Sequence, residues 1–268
     1  MPDQGFYYCS VKSVGRAGGR SIVAAAAYRS GDRLQDERSD QVHDYRRRSG
    51  VTDTFMVVRG DAPEWARNRE TLWNAAERSE PRSNGRLATE IQVSLPHELG
   101  ASARKQLVLD FTQALVEAHG VVADVAIHGP GKRGDLRNHH AHILFTHRAM
   151  DAGGFIQKEK GAHLDRGLSK LALGRKAINV IRQGWEDFVN LAYRAARLVK
   201  RVCRRSYKDQ GLSQEPTIHL GPALIRKERR GQATIEGDIN RAIRARNELR
   251  AVPRGSAQPA DKQMEIAR

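Results

Sequence analysis

Apolar and polar positions alternate with period two over Gly5 to Val14, which is rich in aromatic and β-branched types and reads as a first strand. A helical pattern follows: Ser21 is placed to cap Ile22 to Arg29, and Gly31 to stop it. Asp32 to Gly50 is polar throughout and reads as a long loop, with Tyr45 leading into Arg46, Arg47 and Arg48. Thr52 to Val58 is a further strand, and Asp61, Pro63 and Glu64 mark a helix start whose apolar face carries Trp65, Leu72, Trp73 and Ala76. The most regular alternation is Leu87 to Leu95. It sets Leu87, Ile91, Val93 and Leu95 on one face and Glu90, Gln92 and Ser94 on the other, as in a sheet with one packed and one polar side.

Ser102 to His119 has a single apolar stripe and ends at Gly120, so it is expected to be a helix joining the Glu90 strand to the run Val121 to His128. Gly129 to Asn138 then suits a hairpin loop that returns the chain as His139 to Thr146. Residues 155 to 174 are basic, Gly-interrupted and loop-like. Ala177 to Val202 form the longest expected helix, with Ile178, Ile181, Trp185, Phe188, Ala192, Ala195 and Val199 on its core face. A short extended piece, Glu215 to Pro222, precedes a charged helical stretch. After Pro253 the composition is that of a disordered tail.

On a strand, His140 and His142 project from one face and His139 from the other. The hairpin adds His128 to the pair. Three converging neutral imidazoles would leave coordination positions open on a divalent ion, the arrangement of a catalytic and not a closed structural site. A His-x-His strand is also the pattern of ordinary hydrogen-bonded histidines, and Tyr28, at the end of four consecutive alanines, could simply cover the core.

Charge narrows the partner. The 268 residues carry 46 Lys and Arg against 31 Asp and Glu, a formal net charge of +15, which favours a polyanion and nucleic acid above all. Lys132, Arg133 and Arg137 in the hairpin loop, Arg46 to Arg48, and Arg201, Arg204 and Arg205 are the candidates for backbone contact. No run approaches the ~20 apolar residues of a membrane span, the N-terminus lacks a secretory layout, and Cys9 and Cys203 are isolated, so a cytoplasmic protein is expected.

The runs SVKSVGRAGGRSIVAAAAYRSGDRL, LATEIQVSLPHEL, IHG…NHHAHILFTHR and EPTIHLGP, in that order over residues 5 to 222, resemble the relaxase domain of the MobA/MobL mobilisation proteins and TraA-type conjugative relaxases. The resemblance implies an α+β fold of the HUH relaxase type: a central antiparallel sheet with helices packed on one face and a C-terminal helical extension, divided as 1–222 and 223–268. It implies a metal-dependent endonuclease that nicks one strand at an origin of transfer and later rejoins it. In that scheme Tyr28 is the nucleophile, His128, His140 and His142 hold Mg²⁺ or Mn²⁺, and Glu90 orients an imidazole. Some members carry a second acid where this chain has Gln92, so a carboxylate role there is in doubt. Accessory relaxosome proteins and a coupling protein are the implied partners, and the length suits a short mobilisation protein or a fragment of a larger one. A rolling-circle replication initiator shares the histidine pair, but its tyrosine usually follows the histidines. A non-catalytic DNA-binding module would explain the charge alone.

Overall fold

The computed structural model describes residues 3–131, 135–160 and 171–251. By internal contacts the chain divides into Met1–Arg204 and Arg205–Arg268.

The first unit is built on a five-stranded antiparallel sheet. Its strands are β2 (Cys9–Gly15), β5 (Val51–Val57), β6 (Arg86–Ser94), β7 (Ala123–His128) and β8 (His140–Thr146), in spatial order β2-β6-β8-β7-β5. A short β1 (Asp3–Gln4) pairs in parallel with β11 (Lys200–Arg201), and β9 (Arg148–Asp151) pairs with β10 (Gly154–Lys160). The α+β class and the antiparallel sheet agree with expectation. The placement of the helices does not: they pack on both faces, not one.

On one face Ile91, Ile143 and Val125 stand side by side across β6, β8 and β7, beneath α3 (Ala101–His119) and α4 (Leu171–Ala195). Phe111 and Trp185 meet edge to face there with ring centroids 5.0 Å apart. On the other face Ala88 and Leu144 are covered by Val23, Ala26 and Ala27 of α1 (Ile22–Ser30) and by Leu72 and Trp73 of α2 (Arg69–Ser79). The polar side of the Glu90 strand is therefore half roofed, and Glu90 is buried. Leu87 joins this second cluster because the β2–β6 register slips between Val14 and Gly15, which turns its side chain over.

Local chemistry fixes α1. The Ser21 hydroxyl accepts from the Ala24 N–H at 3.0 Å, and Gly31 closes the helix at φ 73°, a left-handed conformation that favours glycine. Other boundaries shift from those expected. The first sheet strand starts at Cys9, not Gly5. Asp32 to Gly50 contains a hairpin, β3 (Arg33–Asp36) and β4 (Gln41–Asp44), stabilised by Asn74 and Glu70 of α2, which bond the backbone at Gln35 and Glu37. Asp61 does not cap α2; a 3-10 turn over Glu64–Arg67 comes first, and Asn68 caps the helix by accepting from the Thr71 N–H. The long helix ends at Ala195, so Val199 is 82% exposed and Lys200 and Arg201 lie on a strand. Residues expected to form a loop supply β10, and 161–170 lie outside the described residues.

A buried ionic network ties three elements together. Arg69 at the start of α2 donates to both oxygens of Asp124 on β7 (2.8–3.0 Å) and to Asp32 just beyond α1, while Trp73 Nε1 donates to Asp124 Oδ2 at 2.9 Å. Replacing Asp124 with Ala would leave a buried guanidinium and an indole N–H without their acceptor. We expect a loss of about 3 kcal/mol, the low end for breaking a buried pair because Asp32 remains. Urea denaturation measures it, and a change below about 1 kcal/mol would mean that the network contributes little.

In the second unit, Asn240 and Asn247 of α6 (Ile235–Ala251) hydrogen-bond the backbone N–H and C=O of Ile218 and Glu215, holding the expected extended piece along the helix. The charged stretch after it forms α5 (Pro222–Arg229) and α6.

Candidate metal centre and the tyrosine beside it

Strand pairing assembles the imidazoles. His128 on β7 lies directly opposite His140 on β8, and His142 lies two residues further along on the same face. The three ring centroids are 4.9–5.3 Å apart, and one nitrogen from each ring lies within 4.8 Å of the others. This is the His/Cys/Asp/Glu cluster of metal-site geometry among the described residues.

Each ring commits one nitrogen to a protein acceptor. His142 Nδ1 faces Glu90 Oε1 at 2.7 Å, His140 Nδ1 faces the Asn138 carbonyl at 3.1 Å, and His128 Nε2 faces the Arg29 carbonyl at 2.7 Å. With those nitrogens donating, the second nitrogen of every ring keeps its lone pair, as a metal ligand must. Burial, and then the neighbouring imidazoles, push His128 down to about 4, against the pull of the Arg29 carbonyl; His140 is lowered chiefly by burial too. Both are neutral at pH 7. The donor set therefore fits a divalent ion: three imidazole nitrogens, with room left for oxygen ligands.

Glu90 orients this set and is itself held. Its carboxylate receives Arg29 Nε and Nη2 at 2.8 and 2.7 Å as a bidentate pair, in addition to His142. Burial works to raise its pKa, but the hydrogen bonds from His142 and Arg29 outweigh it and hold the carboxyl at about 2. Glu90 is an anion at neutral pH. Gln92, opposite His142 in register, is half-buried.

Arg29 is thus the connecting residue. Its side chain holds Glu90, its carbonyl holds His128, and it follows Tyr28 on α1. Tyr28 is 49% exposed, so it does not serve as a core residue. Tyr45 meets its ring edge-on at 5.3 Å, and the Arg48 guanidinium lies 3.6 Å from the ring centroid while donating to the Tyr28 carbonyl at 2.6 Å.

The basic candidates are scattered. Arg48 belongs to the tyrosine site; Arg46 is paired with Asp44 and Arg137 with Asp135. Arg47 is exposed. Arg201 sits on β11, and Arg204 bonds Gln183 and Glu186 of α4, on the side of the sheet away from the imidazoles. Arg205 opens the second unit, and Lys132 and Arg133 lie outside the described residues. Sequence reasoning missed Arg29. The available signal was a lone cation ending an apolar helix, in a chain with an acid on the strand that the helix covers.

No described helix is long and apolar enough to cross a membrane. Residues 20–230 match the model of the MobA/MobL family. Mobilization protein MobL of Acidithiobacillus ferridurans is 34% identical over 245 residues, covering 84% of this chain and 64% of that protein. Conjugal transfer protein TraA of Rhizobium radiobacter is 31% identical, covering 83% of this chain and 22% of its own length. The chain therefore spans less than two thirds of these relatives. A solved structure reported as "Molecular Basis of Vancomycin Resistance Transfer in Staphylococcus aureus" superimposes on 75% of this chain and 100% of its own, with a TM-score of 0.65 and 28% identity. With its histidine hairpin, its tyrosine helix and most of its length inside the matched region, this chain belongs to the MobA/MobL family.

Proposed function

We propose that this chain is a relaxase: it nicks one strand of DNA at an origin of transfer, carries the 5′ end on Tyr28 and later rejoins the strand. One observation carries the reading. A three-imidazole cluster and an exposed tyrosine are built into neighbouring elements and joined by a single residue, Arg29. Family membership and relatives named for mobilisation and conjugal transfer support it.

In this reading the Tyr28 phenolic oxygen attacks the scissile phosphorus, the bond from phosphorus to the 3′ oxygen breaks, and the phenol loses a proton as the 3′ oxygen gains one. His128, His140 and His142 would hold Mg²⁺ or Mn²⁺, which supplies Lewis-acid stabilisation of charge on the phosphate oxygens. Glu90 fixes the His142 ring and keeps its lone pair inward. Arg48, stacked on the phenol ring, fixes the tyrosine in place. The exchange of one phosphoester for another makes rejoining possible without an external energy source. The relaxase domain is taken as residues 1–222, with 223–268 as a charged extension.

Incubation with a single-stranded oligonucleotide spanning its origin of transfer and Mn²⁺ or Mg²⁺ should give a covalent adduct on a denaturing gel. EDTA should prevent it, as should His140→Ala combined with His142→Ala, while salt-sensitive DNA binding persists. An adduct formed equally well by that double variant would remove the imidazoles from the chemistry.

A further inference from the structure

The loop between β4 and β5 is fixed at both ends. At one end the Tyr45 ring meets Tyr28 edge-on; at the other the Gly129 N–H donates to the Gly50 carbonyl at 2.8 Å, and Val51 pairs with His128 in the β5–β7 ladder. Gly50 turns the chain into β5 at φ 102°, a conformation that favours glycine. Arg48 lies midway, three residues from Tyr45 and three from Val51. Arg46 and Arg47 are exposed, whereas Arg48 is half-buried, so the loop hangs this one arginine between the tyrosine and the imidazole cluster.

Side-chain contacts agree with that position. The Arg48 guanidinium lies 3.6 Å from the Tyr28 ring centroid. His128 and His140 are lowered chiefly by burial, and the charge of Arg48 adds to the lowering of both. One cation thus borders the phenol and two of the three imidazoles. It is also largely unused. A guanidinium has five N–H donors. Among the described residues Arg48 makes one hydrogen bond, from Nη1 to the Tyr28 carbonyl, and no ion pair. Its neighbours differ: Arg29 is neutralised by Glu90 and Arg46 by Asp44. Because Nη1 turns towards the backbone of the tyrosine, the donors on the other two nitrogens face away from it.

We propose that Arg48 is a catalytic residue, whose free N–H groups donate to the non-bridging oxygens of the scissile phosphate while Tyr28 attacks the phosphorus. The assignment rests on the relaxase reading for its reaction and adds a residue to it. An attacking oxygen stands about 3–3.5 Å from its target atom, so a cation on the face of the same ring is within reach of the outer oxygens of that phosphate. As the bond from the phenolic oxygen to phosphorus forms and the bond to the 3′ oxygen breaks, Arg48 balances the negative charge on those oxygens. It gives hydrogen bonds and transfers no proton. A planar fork suits two phosphate oxygens, where an ammonium offers a point charge.

The test is single-turnover adduct formation by the whole chain at saturating DNA, with anisotropy for binding. Two origin oligonucleotides are compared, one with the ordinary scissile phosphate and one with an uncharged methylphosphonate in its place. On the phosphate, Arg48→Ala should slow the reaction about thirtyfold, the worth of one hydrogen bond to a charged group, and Arg48→Lys should fall between. On the methylphosphonate, Arg48→Ala and the parent chain should react at rates within about threefold of each other, because no charge is left to balance. Equal slowing on both oligonucleotides overturns the proposal, since a residue that only places Tyr28 serves either one. Unslowed reaction of Arg48→Ala, with or without weaker binding, overturns it as well and leaves the relaxase reading standing. If the parent chain gives no adduct with the phosphate oligonucleotide, the relaxase reading itself fails and takes the proposal with it.

Discussion

Tyr28→Phe should abolish the covalent adduct and leave single-strand binding at the level of the unmodified chain. The substitution removes one oxygen and keeps the ring. The ring is what Tyr45 meets edge-on and what the Arg48 guanidinium covers, and α1 packs through Ile22, Val23, Ala26, Ala27 and Ser30, which are untouched. Fold and DNA surface should therefore survive while the proposed nucleophile is lost, and cleavage should fall by on the order of 10³-fold or more. A denaturing gel for the adduct, beside anisotropy for binding, separates the two. An adduct that persists would move the nucleophile to Tyr45, whose ring lies 5.3 Å away.

Arg29→Ala should have the second largest effect, and it should appear first in the metal. Without the guanidinium, Glu90 keeps only His142 as its side-chain partner, and the carboxylate that sets the ring of His142 is free to turn. Loss of an outer partner of this kind costs about 10–100-fold in metal affinity. Titration calorimetry with Mn²⁺ would read it. Stability should fall as well, by about 3 kcal/mol or less, since a largely buried carboxylate loses a bidentate partner but keeps one hydrogen bond. Arg29→Lys should restore charge without the planar fork and recover only part of the affinity. If Arg29→Ala binds Mn²⁺ as tightly as the parent chain, the clasp has no bearing on the metal.

The imidazole cluster could be read from the sequence because strand parity is rigid: once His140 and His142 share a face and a short loop returns the chain beside the strand ending in His128, little freedom remains. The α1 caps were equally legible, since Ser21 and Gly31 act through their own backbone neighbourhood. What could not be read depends on contacts distant in sequence. Arg29 and Glu90 are 61 positions apart, and nothing local to either announces a bidentate pair. Asp32 to Gly50 looks like loop because its strands are short and polar, and Asn74 and Glu70 of a later helix supply their hydrogen bonds. The polar face of Leu87 to Leu95 is legible as polar from its alternation, but not what covers it. Glu90 is polar because it meets Arg29 and His142, under a helix whose alanines allow close approach.

Arg48 showed the limit of charge as a guide. In a chain with a net charge of +15 it stood among many basic residues suited to a phosphate backbone, yet its guanidinium lies on the tyrosine ring. Arg46 and Arg137 are each paired with an acid two residues away, which lessens their appeal as backbone contacts.

The double hold of Arg29 on His128 and on Glu90 has a thermodynamic corollary. Any strand that draws α1 inward by engaging Tyr28 also draws in the groups that orient two of the three imidazoles, and any ion that gathers the imidazoles pulls on α1. Under the proposed function, metal and DNA would then be linked ligands of one element, each changing the affinity of the other by the same factor, so that the strength of DNA binding would report on metal occupancy before any bond is cut.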